Sequence, residues 1–242
     1  VIEPGGTLIL NGCTLTSLQG CEKAMWDGIE VQGTYNVNQA TTASQGILQI
    51  TNSYITDARI GATTSARLAD GVTQDWTHTG GGIMKVTQGH FTNCNRAFEF
   101  RAYTNHNASG AVINDASFIV NSTFEVNSSY GDGSSTVPGV AQITMNAVRN
   151  VVLNGNSFTD TRPITTTLPL DKHTIGIFAI DAPFTVSTYC TSGSFPCPTG
   201  SVLKSSFSNL SHGVYVSGGT ANELVTVDRA LFTNNMIGVR VE

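Results

Sequence analysis

The chain has 242 residues, 40% of them hydrophobic and only 12% charged, about half the usual quarter, with a net charge of −5. A chain of this length can bury a sizeable core. Its acidic balance lacks the basic patch of a nucleic-acid binder, and no apolar run reaches the roughly 18 residues that span a bilayer. The remaining polar residues are mostly Thr, Ser, Asn and Gly, which suit strand faces and turns better than helices.

Along the chain, VIEPGGTLIL (1–10) reads as a turn and a strand rather than a secretion leader. A fixed local phrase then recurs around Leu15, Ile55, Phe91, Phe124, Phe158, Phe207 and Phe232, at gaps of 40, 36, 33, 34, 49 and 25 residues. Five positions before each lies another apolar residue: Leu10, Ile50, Val86, Ile119, Leu153, Val202 and Val227. Two positions before lies a small or short residue, as in Ser53, Gly89, Ser122 and Ser205. Two positions after, Asp57, Asn93, Asp160, Asn209 and Asn234 supply the side chains that favour bends. Six positions after, Gly61, Ala97, Gly213 and Gly238 open an alternating strand. The first and fifth units keep that strand after an insertion, as WDGIEV (26–31) and TIGIFAI (174–180), and GVAQITM (139–145) is its counterpart in the fourth. The chain stops on GVRVE, inside a repeat, so both ends are expected to be cuts in a longer protein.

A variable period around a constant phrase is the pattern of a solenoid, in which one unit cannot bury its apolar face alone and must stack on its neighbours. Each unit holds two or three short strands, and stacked strands lie about 4.8 Å apart, so seven units make a rod roughly 34 Å long. The expected fold is an all-β, right-handed parallel β-helix over residues 1–242 as one domain, its hand set by the crossover preference of parallel strands. An all-β sandwich is the competing arrangement.

The phrases resemble the right-handed parallel β-helix repeat of the pectin-lyase-like superfamily. The opening VIEPGGTLILNGCTLTS with MWDGIEVQG looks like bacterial secreted surface proteins, many of them type IX secretion cargo. The resemblance implies export and a large parent protein, and it allows a polysaccharide lyase or hydrolase. The hydrolase pattern of adjacent aspartates with Gly-His-Gly is missing, GHF (89–91) and SHG (211–213) being the nearest approaches. Of the lyase pattern Arg-x-Pro-x-x-Arg, only Arg162 and Pro163 are present. His90 and His212 read as solvent-facing or turn residues.

Column geometry tests the remaining carboxylates. Asp57 and Asp160 lie three coils apart, about 14 Å, too far for the roughly 5–9.5 Å of paired glycosidase carboxylates. The outward position of the alternating strand reads Glu30, Thr63, Glu99, an unassigned residue, Phe178, Tyr215 and Arg240. Glu30 and Glu99 are two coils apart, about 9.6 Å, at the edge of the inverting range. Phe178 and Tyr215 occupy adjacent coils. They form either an open platform for sugar rings or an apolar partner, with Arg240 at its edge, or a pair covered by the following excursion.

Length variation is expected in excursions 63–81, 101–113, 128–138, 161–173 and 183–200. The first carries Trp76 as a further binding candidate beside His78. In YCTSGSFPCP (189–198), Cys190 and Cys197 are spaced for a local disulfide, which implies an oxidising compartment. Cys13 with Cys21 is a second possible pair, leaving Cys94 as a thiol. These features lead to a non-catalytic extracellular module of a cell-surface protein, an adhesin or stalk, binding a glycan or a partner protein. The alternatives are a polysaccharide-active enzyme built on Glu30 and Glu99, or its inactive relative, and a structural spacer. No cofactor, metal, nucleic acid or membrane span is expected, and further domains of the same chain are.

Overall fold

The structure is a computed structural model, and it describes residues 1–18, 25–131, 141–218 and 224–242. Three parallel sheets of seven strands each run the length of the molecule, and the chain visits them in turn, making seven coils of a parallel β-helix. The first sheet runs from Thr7–Asn11 to Thr226–Val227, the second from Thr14–Leu15 to Leu231–Thr233, and the third from Trp26–Glu30 to Ile237–Val241. No helix among the described residues is long and apolar enough to cross a membrane.

The recurring apolar residue is the core column of the second sheet. Leu15, Ile55, Phe91, Phe124, Phe158, Phe207 and Phe232 are cross-strand partners in unbroken succession. From Phe91 onward each ring stacks on the next, with centroids 4.6–5.0 Å apart and planes within 14° of parallel. Such spacing is the coil rise itself, so each coil from the third onward fills this part of its interior with the same ring, nearly parallel to the last.

Polar columns turn the corners. Between the first and second sheets, Ser53 Oγ accepts the Cys13 amide at 3.1 Å, and Ser122 Oγ accepts the Gly89 amide at 3.0 Å. Asn156 Oδ1 accepts the Ser122 amide at 3.0 Å, and Ser205 Oγ accepts the Asn156 amide at 3.3 Å. These side chains answer buried amides that the bend removes from the strand ladders. Between the second and third sheets, Asp57, Asn93, Asn209 and Asn234 adopt positive φ of 52–56°, a conformation their short polar side chains tolerate. Beyond that bend the coils approach closely: a Cβ on Gly176 would lie 2.5 Å from the Gly213 carbonyl oxygen, and one on Gly213 would lie 2.6 Å from that of Gly238.

Three positions depart from the sequence reading. Val202 is not in the first-sheet column; Val186 pairs with Leu153 and Val227 there, and Val202 pairs with Cys190 in a two-stranded antiparallel hairpin. The sixth-coil excursion therefore spans 188–205 rather than 183–200, and counting back from Phe207 lands inside it. Asp160 is not a bend residue like its column mates. The fifth coil extends its strand to Ser157–Asp160 before an excursion, which drives the carboxylate into full burial. The chain also makes an excursion at 31–46 that the phrase did not reveal. Its buried Gln39 donates to Asp115 Oδ2 and accepts the Ala116 amide, 77 positions away, tying this excursion to 101–117.

Candidate functional site

The third sheet's outward column is continuous in register: Glu30, Thr63, Glu99, Thr144, Phe178, Tyr215 and Arg240 are successive partners. Thr144 fills the position the sequence left unassigned. A long groove of about 1310 Å³ lies over the first three coils, between this sheet and the excursion 64–82, with Glu30, Thr63 and Glu99 in its floor and Arg67, Leu68 and Val72 on its rim. A hollow of about 140 Å³ follows over coils three to five. It exists because Thr144 and Asn146 are shorter than the residues on either side, Glu99 and Arg101 on one coil and Phe178 and Ile180 on the other. Arg96, Glu99 and Arg101 line both depressions and join them.

Glu99 is buried at 5% exposure, and both its carboxylate oxygens are hydrogen-bonded. Oε1 accepts from Arg96 Nη1 at 3.1 Å and Arg101 Nη2 at 3.0 Å, and Oε2 accepts from Thr63 Oγ1 at 3.0 Å. The carboxylate thus holds the two guanidiniums together beside Thr63. Glu30 is partly exposed, and its Oε1 accepts from Gln32 Nε2 at 2.6 Å and the Arg67 amide at 3.2 Å. The two glutamates share the column as expected, and the intervening Thr63 is already bonded to one of them.

At the other end, the Phe178 and Tyr215 rings lie 5.1 Å apart between centroids, tilted by 42°, and both are half-buried. The excursion 188–205 leaves the rod at the corner of the first and second sheets, where Tyr189 abuts Gly155, and not over the third sheet. The Arg240 guanidinium carbon sits 5.2 Å from the Tyr215 centroid, and the His212 ring stacks at 5.2 Å. Tyr215 Oη donates to Glu242 Oε2 at 2.6 Å, which raises the phenol's pKa and lowers that of Glu242. Burial, then the Arg240 charge, holds His212 below the ordinary histidine range.

The structure thus brings Glu30, Glu99, Phe178, Tyr215 and Arg240 onto one face. Trp76 stands apart, 72% exposed at the tip of its excursion and outside the groove lining. Beside it, His78 Nδ1 is 2.7 Å from Asp75 Oδ2, and this contact depresses the Asp75 pKa. Cys190 and Cys197 are bonded, on the corner away from the groove. Cys94 is a buried free thiol whose pKa burial pushes up to about 12. Cys21 lies outside the described residues, and with it the Cys13–Cys21 pairing. The residues sequence reasoning missed are Arg96 and Arg101. Alternation carried the signal for Arg101, two positions after Glu99, but not for Arg96, three positions before it at the start of the strand Arg96–Phe100. Arg162, weighed as part of a lyase motif, is instead a buried partner of Asp160, with Nη2 at 2.6 Å from Oδ2. Comparison with protein-family models, curated proteins and solved structures returns no match.

Proposed function

We propose that the protein is a non-catalytic extracellular β-helix module of a cell-surface protein, an adhesin or stalk, that binds a glycan chain along the outward face of its third sheet. The observation that carries this reading is the continuity of that face, from the groove at Glu30, across the shared Arg96–Glu99–Arg101 ridge, to the half-buried Phe178–Tyr215 pair. An extended ligand lying parallel to the rod would meet polar groups first and aromatic rings last. Aromatic faces stack on the apolar faces of sugars, and hydroxyls bond to the polar part.

Secretion is supported by the Cys190–Cys197 disulfide, which persists in oxidising compartments. It is also supported by the likeness of the opening VIEPGGTLILNGCTLTS and MWDGIEVQG to bacterial secreted surface proteins. The non-catalytic reading is supported by the pairing of Glu99, whose oxygens already take two guanidinium donors and a hydroxyl. The test is a glycan array probed with the wild type and with a Phe178→Ala/Tyr215→Ala double variant. Loss of glycan binding by at least about tenfold, with the circular dichroism spectrum unchanged, is the expected result. Equal binding by both proteins would remove the strip from the site, and sugar turnover by the wild type would replace the module reading with an enzyme.

A further inference from the structure

The charge cluster in the middle of the outward face turns its positive side to solvent. Arg96 Nη1 and Arg101 Nη2 both bond to the same oxygen of Glu99, Oε1, while Oε2 is taken by Thr63. The Glu99 side chain is 7% exposed, against 30% for Arg96 and 36% for Arg101. The surface there is guanidinium, with the carboxylate beneath it. Two cations share one anion, so a positive charge is left over in a chain whose net charge is −5. Arg96 Nη2 and Arg101 Nη1 have no partner in the protein among the described residues.

The hollow of about 140 Å³ opens directly beside these donors. Arg96, Glu99 and Arg101 form one side, Thr144 and Asn146 the floor, and Phe178 and Ile180 the other side. No further charged residue lines it among the described residues. Its volume is close to the roughly 150 Å³ that holds one benzene ring.

We infer that this hollow binds a carboxylate carried on a ring-sized body with an apolar face. The carboxylate lies against Arg96 and Arg101, and the body rests over Thr144 against Phe178 and Ile180. Guanidinium meets a planar carboxylate with two parallel hydrogen bonds. The second anion also offsets the like-charge repulsion that Glu99 alone leaves between the two arginines. Glu99 gives up neither arginine, because the ligand takes the Nη groups that Glu99 does not use. A neutral ring of the same size gains the apolar contact and not the charge pairing. Two sources share this chemistry: a free aromatic acid, and an acidic sugar unit of a chain lying along the face. The inference does not depend on the glycan reading.

The experiment titrates benzoate and galacturonate into the isotope-labelled 242-residue protein and follows its amide resonances, with benzyl alcohol and galactose as neutral counterparts. A carboxylate should bind with a dissociation constant of about 1 mM and its counterpart at least about tenfold more weakly. The shifts should centre on 96–101 and 144–146, and binding should weaken several-fold between about 0.05 M and about 0.5 M salt. Thr144→Trp fills the hollow from the outward face and leaves the arginines with Glu99, so it should abolish binding while the rest of the spectrum stays folded. Arg101→Lys keeps the charge, loses the fork and should weaken binding several-fold. Binding of benzoate alone assigns the site to a free aromatic acid, and binding of galacturonate alone assigns it to an acidic unit of a bound chain. Equal affinity for acid and neutral counterpart, no saturable shift with either acid, or undiminished binding by Thr144→Trp overturns the inference, whatever the glycan array returns.

Discussion

Phe158 and Phe207 lie face to face, with centroids 4.8 Å apart and planes 3° from parallel, although 49 positions separate them in the chain. The two excursions between them leave the rod and return without disturbing the stack. A ring so enclosed loses both transfer energy and packing when truncated, so Phe158→Ala is expected to cost about 3–5 kcal/mol in urea unfolding. Phe178→Ala, on the outward face, should cost under about 1.5 kcal/mol because its ring is half-buried. Equal losses at the two positions would contradict the inward and outward assignment.

The buried Asp160 carboxylate clasps the base of the excursion 161–174. It accepts from Arg162 Nε at 2.9 Å and Nη2 at 2.6 Å, from the Arg162 amide at 3.1 Å, and from the Thr174 amide at 3.1 Å. Arg162→Met leaves the buried anion with only the His173 ring, 3.6 Å away, beside it and should destabilise by about 3–5 kcal/mol. Adding Asp160→Asn should restore a large part of that loss. A double variant no more stable than the single one would show that the amide bonds, not the charge pair, dominate.

Asp115 gives a pH signature. Burial pushes its pKa above the aspartate value of 3.8, against the lowering effect of the bonds from Ser117 and Gln39. An acid with a raised folded pKa binds its proton more tightly in the folded state. Its contribution to stability is complete below the unfolded pKa and is lost as pH rises through the folded one. The melting temperature of Asp115→Asn minus that of the wild type should therefore climb as pH rises from about 4. A difference flat with pH would show that the carboxyl titrates normally.

Thiol chemistry separates the cysteines. With its pKa pushed up to about 12, Cys94 carries almost no thiolate at neutral pH, and burial excludes reagents as well. Alkylation of the folded protein should spare Cys94 and complete only in denaturant, and non-reducing peptide maps should join Cys190 to Cys197. Rapid labelling of Cys94 in the folded state would place it outside the core.

What was legible in the sequence was whatever each coil must solve again. The Phe column, the bend column and the outward column from Glu30 to Arg240 follow from a phrase that stacks on its own copy one coil rise away, so local spacing carries the register. Where the phrase is interrupted, counting fails: Val202 stood in for Val186 because an excursion of unpredictable length lies between Val186 and Phe207. Asp160 looked like a bend residue because its burial depends on Arg162 and Thr174 folding back onto it. The groove belongs to the same class. Its floor was readable, but its wall is the excursion 64–82, and whether the excursion 188–205 lies over Phe178 and Tyr215 depended on which corner it packs against. Period and alternation are properties of neighbouring residues, whereas the path of an excursion is settled by contacts between segments distant in the chain, and only the tertiary structure decides those.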